Sequence, residues 1–146
     1  MAGDRLSARD LLDRLVGFDT VSAHSNLALI HWVRDYLAGW GIDSILAPNE
    51  DGTKANLFAT IAADDTARDG GLVLSGHTDV VPVAGQSWST DPFTVVERDG
   101  RLHGRGTADM KGFIAIALAL VPDILAARPR LPVHFAFSFD EEVGCI

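Results

Sequence analysis

Three short stretches of this chain have the residue types of metal chemistry: Ser75-Gly-His77-Thr-Asp79, Gly104-Arg-Gly106-Thr-Ala-Asp109-Met-Lys-Gly112, and Asp140-Glu141-Glu142. His77 and Asp79 stand two apart where the apolar run Leu72 to Gly76 ends, and the two-residue period of a strand lets both face one side. A neutral imidazole can give one nitrogen to a metal while its other N–H is held by a carboxylate, which fixes the tautomer, and Asp79 is placed to do this. Taken alone, His-x-Asp reads more plainly as a strand-end histidine followed by an aspartate that opens a turn. In the second stretch Gly104 and Gly106 permit a tight path that sets Asp109 directly before an apolar helix. Its carboxylate could bridge two cations, or it could simply cap that helix, a contribution of about 1 kcal/mol. In the third, three adjacent acids follow the apolar strand Val133 to Phe139, and cations would relieve their repulsion. If Glu142 ligates a metal, Glu141 beside it can stay uncoordinated and act as a base on water. Alone, Asp-Glu-Glu is more often a solvated turn. What favours a site is coincidence, because all three stretches fall at the ends of predicted elements and two of them terminate long apolar strands.

The elements that must position these residues follow from periodicity and punctuation. Leu11, Leu12, Leu15 and Val16 recur at helical spacing behind Ser7, with Asp10 as the partner of a capping box. Ser25 or Asn26 caps a second helix with an inner stripe of Ile30, Val33, Leu37 and Trp40, and Gly41 follows where positive φ is often needed. Residues 42–46 and 56–61 read as strands around the turn cluster Pro48-Asn-Glu-Asp-Gly52. Leu72-Val73-Leu74 is apolar without alternation, which predicts a strand from 71 to 76 covered on both faces and central in its sheet. Residues 93–97 and 101–103 flank Asp99-Gly100, a hairpin turn. A helix is expected over 110–127, bent near Pro122, and a buried strand over 133–139. The alternation of helices and strands gives an α/β sandwich.

Composition narrows the function. The chain's 146 residues make one ordinary domain, and 47% hydrophobic with 22% charged residues is globular. A net charge of -8, without a basic stripe, argues against nucleic acid. The single cysteine, Cys145, excludes an internal disulfide and a cysteine-based zinc site, and suits a reducing cytoplasm. The N-terminus does not read as a signal peptide, and the longest apolar run, residues 113–121, is far short of the roughly 20 residues that cross a bilayer. Gly-Arg-Gly-Thr-Ala-Asp begins like a dinucleotide fingerprint, but Asp109 occupies the third glycine position, where it would repel pyrophosphate, and no βαβ unit starts there. No Gly-x-Ser-x-Gly elbow marks a serine hydrolase.

Taken together, Gly76-His-Thr-Asp79-Val-Val-Pro82, Trp88 with Asp91-Pro92-Phe93, Gly104 to Gly112 and Asp140-Glu-Glu142 resemble the acetylornithine deacetylase and succinyl-diaminopimelate desuccinylase family of cocatalytic zinc amidohydrolases. Phe18 to Ser22, Ser25-Asn26-Leu27, Lys54 to Leu57 and Glu141 to Cys145 are most similar to the deacetylases. The resemblance implies a three-layer αβα sandwich around a mostly parallel mixed sheet. It implies two divalent ions, zinc first, with cobalt or manganese compatible with the same donors. In these terms His77 ligates one ion, Asp109 bridges both, Glu142 binds the other, Glu141 is general base and acid, and Asp79 orients His77. A non-proline cis peptide is implied after Asp109. The implied reaction is deacetylation of N-acetylornithine to ornithine and acetate in arginine biosynthesis, with desuccinylase, aminoacylase or dipeptidase as alternatives. The implied setting is a cytoplasmic homodimer acting on a small N-acylated amino acid, with neither nucleic acid nor membrane as partner.

The family also supplies an acidic ligand, a C-terminal histidine and a dimerisation domain from sequence that follows this region. Residues 1–146 are therefore expected to be the N-terminal part of the catalytic domain and inactive in isolation, a non-catalytic fragment being the alternative to an enzyme. His103, where relatives usually carry Tyr or Trp, is expected to pack rather than to bind metal.

Overall fold

The computed structural model describes residues 3–63 and 68–144. Cys145 and the residue after it lie outside that range. The first helix, α1 (Ala8–Val16), begins with the expected capping box: the Ser7 hydroxyl accepts the Asp10 N–H and the Asp10 carboxylate accepts the Ser7 N–H. Helix α2 (Leu27–Gly39) has Asn26 at its N-cap without a side-chain cap bond, and Gly41 takes φ 75° just beyond its end. Strands β1 (Ser44–Pro48) and β2 (Ala55–Ile61) form an antiparallel pair across the predicted turn. They are followed by β3 (Leu72–His77) and a small hairpin of β4 (Val96–Arg98) and β5 (Arg101–His103), whose turn residues Asp99 and Gly100 both have positive φ. The single helix expected over 110–127 is two, α3 (Lys111–Ala119) and α4 (Val121–Ala127), with Pro122 in the first turn of the second. Strand β6 (Val133–Ser138) leads into a 3₁₀ turn, Glu141–Val143.

The main sheet runs β1-β2-β6-β3 and is mixed, but only β3 and β6 are parallel. The expectation of a mostly parallel sheet is thus corrected. The two apolar, non-alternating runs do pair in parallel, whereas β2 returns antiparallel both to β1 and to β6. Among the described residues β2 and β6 are the interior strands and β3 lies at the edge, with Leu72 and Val73 more than half exposed. A continuous apolar run carries no mark of which side its neighbour lies on.

Alternation puts Leu57, Ala59, Ile61, Phe135 and Phe137 on one face, where they form a single core with Leu11, Leu15, Ile30, Val33, Leu37, Ile114 and Leu118 from the helices. The opposite face carries Ile45, Phe58 and Val73 exposed. Among the described residues the arrangement is therefore two-layered, not the expected three-layered sandwich. None of the described helices is long and apolar enough to cross a membrane.

Candidate metal centre

The candidate residues converge at the end of the β3–β6 pair where both strands run out, since His77 is in register with Ser138. Parallel pairing places the residues that follow both strands at the same sheet edge, which is why positions some 65 apart in sequence meet there. A second chain segment braces this edge: the Ser22 N–H donates to the Val80 carbonyl, the Val80 N–H donates to Thr20, and the Thr20 hydroxyl donates to the Thr78 carbonyl. Asn26 adds bonds to Ala55 and to the Thr78 hydroxyl.

His77 is 5% exposed. Its Nδ1 lies 3.0 Å from the Asp79 carbonyl oxygen and 3.5 Å from Asp79 Oδ1, so the main chain rather than the carboxylate makes the closer contact. The buried Asp79 carboxylate has other work. Its Oδ2 accepts the Ser22 hydroxyl at 2.6 Å and the Glu142 N–H at 3.1 Å, and its Oδ1 accepts the Glu141 N–H at 3.2 Å. Asp79 thus orders the acidic turn as well as standing beside the imidazole. His77 Nε2 is 3.0 Å from Asp109 Oδ1 and 3.7 Å from Glu141 Oε2.

Asp109 does not cap α3. The N-cap is Met110, with no side-chain bond, and the Asp109–Met110 peptide is cis, as the resemblance implied. The loop that carries Asp109 is tightly wound: Lys111 N–H donates to the Gly106 carbonyl, Gly106 has φ 84°, and the wholly buried Lys111 side chain donates from Nζ to the Phe18 carbonyl at 2.8 Å.

Ligand-type atoms of His77, Glu141 and Glu142 all lie within 4.8 Å of one another. Asp109 is not in that mutual group and joins it through its contact with His77. Glu141, expected only as a base, therefore stands as close to the shared point as the expected ligands do. The electrostatics suit a cation. Burial pulls the His77 pKa down, but the bonds to Asp109 and the Asp79 carbonyl and the charges of Asp79 and Glu141 outweigh it, and the net shift is upward. Glu142 is also pushed up, first by burial, then by the charges of Asp109, Glu141 and Asp79, which His77 only partly offsets. Part of each upward shift is the negative potential of the neighbouring carboxylates. The donor set, one imidazole and several carboxylates around a common point, matches what divalent zinc, cobalt or manganese accept.

Sequence reasoning placed Ser22 and Lys54 in stretches that resemble the deacetylases but gave neither a role, and it gave none to Asp140. Asp140 instead has φ 60° and turns its carboxylate to the Lys54 ammonium. A lone serine or lysine has no spacing signature, so the pattern did not show which partners they hold. His103 is exposed at the end of the hairpin, beside Trp88 and Arg98, rather than packed.

A mixed sheet with helices on one face and a histidine–carboxylate cluster at the end of its parallel strands is the arrangement of a metallohydrolase catalytic domain, and sequence comparison makes the class specific. The chain belongs to peptidase family M20/M25/M40, whose sequence profile matches residues 73–146. Acetylornithine deacetylase of Yersinia pestis is 41% identical over 126 residues, covering 85% of this chain and 32% of that protein. The enzyme of the same name from Proteus mirabilis is 37% identical over 142 residues, covering 92% and 36%. Among solved structures, human carnosine dipeptidase 1 superposes with a TM-score of 0.79 at 24% identity, covering 95% of this chain and 33% of its own. An M20 family metallo-carboxypeptidase from Sulfolobus solfataricus gives 0.80 at 21%, covering 94% and 31%. The chain spans about a third of the length of these relatives.

Proposed function

We propose that this chain supplies the histidine–carboxylate cluster of a metal-dependent amide hydrolase whose substrate is an N-acylated amino acid, N-acetylornithine in the first instance, giving ornithine and acetate. The observation that carries the reading is the convergence of His77, Glu141 and Glu142 within 4.8 Å, with Asp109 against His77. The choice of N-acetylornithine rests on the relatives named acetylornithine deacetylase.

In this reading His77, Asp109 and Glu142 hold two divalent ions, zinc before cobalt or manganese. Such ions, when bound, polarise a carbonyl and lower the pKa of water to about 7 in favourable sites. The chain's own residues do the remainder. The Asp79 carbonyl fixes the His77 ring through Nδ1, and His77 Nε2 is the nitrogen that faces the carboxylates. Glu141, whose side chain is half exposed and stands 3.7 Å from His77 Nε2, is the group assigned to take a proton from water and to return it to the departing amine. The homodimer and the further ligands expected of the whole enzyme belong to the same proposal.

The test is metal binding followed by turnover. Purified protein should bind zinc or cobalt, with affinity falling about 10- to 100-fold or more in His77→Ala and Glu142→Gln. Glu141→Gln should keep most of the affinity. Within a polypeptide that also contains the remaining ligands, Glu141→Gln should abolish ornithine release from N-acetylornithine, and chelation should abolish it in the parent. Zinc affinity indifferent to both His77 and Glu142 would sink the reading. Hydrolysis of dipeptides in preference to N-acetylornithine would overturn the substrate assignment alone.

A further inference from the structure

Three consecutive acids follow β6, yet only two of them face His77. The third, Asp140, pairs with Lys54, and both side chains are more than four-fifths buried. Lys54 sits directly before β2, with its backbone N–H on the Asn49 side chain and its carbonyl accepting the Asn49 N–H. Its ammonium also donates to the Ser22 carbonyl at 2.6 Å, and the Ser22 hydroxyl is the donor that reaches the Asp79 carboxylate. One cation therefore joins the 20–24 loop, the start of β2 and the acidic turn. From Asp140, in the left-handed region, the chain turns so that the next two N–H groups both close on Asp79. On the β2 side, the Phe139 N–H donates to Asn56. The exit of β6 is thus held at 139 and 140 by β2 and its preceding lysine, and at 141 and 142 by Asp79.

We propose that Lys54 is a positioning residue: by holding Asp140 and the Ser22 carbonyl it sets the Glu141-Glu142 turn on Asp79, so that both glutamates reach His77. Its functional half rests on the metal-centre reading above. Its structural half does not. A lysine near the cluster that acted only through overall charge would sit close to Glu141 and Glu142. Lys54 instead takes Asp140, the acid outside the group around His77. Largely buried ion pairs of this kind add little net stability, because desolvation offsets attraction, so the geometry is better explained by what the pair orients.

The experiment uses the purified protein with Lys54→Met, Lys54→Arg and Asp140→Asn. In chelator, hydrogen exchange at the Glu141 and Glu142 amides reads the turn without any metal. Zinc affinity by competition reads the site. In Lys54→Met and Asp140→Asn, both amides should lose about tenfold in protection, and zinc affinity should fall about 10- to 100-fold, the range found when residues that orient metal ligands are changed. Lys54→Arg, which keeps the cation, should recover most of both, and thermal midpoints should not account for the difference. If Lys54→Met does not fold, Asp140→Asn decides the matter. Unchanged protection and affinity in the folded variants, or equal loss in Lys54→Arg and Lys54→Met, would overturn the proposal while leaving the metal reading intact. A parent protein that binds no zinc removes the metal reading, and the exchange data still decide whether Lys54 sets the turn.

Discussion

Replacing Asp79 with Asn keeps the shape of the side chain and should still be costly, for a reason visible in the geometry. Each carboxylate oxygen accepts a backbone N–H that cannot rotate away: Oδ1 takes Glu141 and Oδ2 takes Glu142, with the Ser22 hydroxyl added at Oδ2. Whichever way the amide is turned, its NH2 meets one of those donors. One charge-assisted bond worth about 1.5 to 3 kcal/mol is lost, and a shielded donor is left unsatisfied at about 1 to 3 kcal/mol. Because the turn at Glu141 and Glu142 is only partly shielded, we expect a net loss of about 2 to 4 kcal/mol, against a total of roughly 5 to 15 for an ordinary domain. Urea unfolding followed by far-UV circular dichroism in chelator measures it, with the slope unchanged and the midpoint lowered. A loss below about 1 kcal/mol would mean that the two amides find other acceptors, and the view of Asp79 as organiser of the acidic turn would be wrong.

Three further outcomes follow from other parts of the fold. Burial, partly offset by Asp19, pushes the Lys111 pKa down from 10.5 to about 7, so between those values the unfolded chain binds the extra proton and stability rises with pH. The stability of the parent relative to Lys111→Met should therefore climb by about 1.4 kcal/mol per unit from about pH 7.5 to 9.5; a flat difference refutes it. In Gly112→Ala the new methyl would stand 2.3 Å from the Thr107 carbonyl oxygen, forcing open the loop that carries Asp109. The expected loss is about 2 to 3 kcal/mol in denaturant unfolding, and a change within 0.5 kcal/mol or so would contradict the close approach. Finally, the exposed apolar sheet face is expected to self-associate, and Ile45→Lys with Val73→Lys should reduce that association in light scattering without lowering the unfolding midpoint; a parent that does not associate, or association unchanged in the variant, would refute it.

How far the sequence reached differs between local and non-local features. The α1 capping box, the Asp99-Gly100 hairpin turn and the positive φ at Gly41 were all legible, because each is set by residues within a few positions of one another. The convergence of His77, Asp109 and the acidic turn was legible too, since strand ends punctuated by Gly, His and Asp stand out from apolar runs. Sheet order was not. Leu72-Val73-Leu74 and Val133 to Phe137 look alike as sequences, yet one is an exposed edge and the other an interior strand. Partnerships such as Lys54 with Asp140, or Ser22 with Asp79, join residues 86 and 57 positions apart and leave no periodic trace.

Those unmarked partnerships explain why the cluster holds together at all. Of the acids gathered at the sheet edge, the protein satisfies two by its own means: Asp140 takes the Lys54 ammonium, and Asp79 takes two backbone N–H groups and a hydroxyl. Asp109, Glu141 and Glu142 gather around one imidazole. Glu142 is shifted upward first by burial and then by its acidic neighbours, and His77 by its bonds to Asp109 and the Asp79 carbonyl together with the charges of Asp79 and Glu141. In the proposed reading Lys54, Ser22 and the left-handed Asp140 hold the Glu141-Glu142 turn beside His77, and a divalent ion would complete the charge balance there.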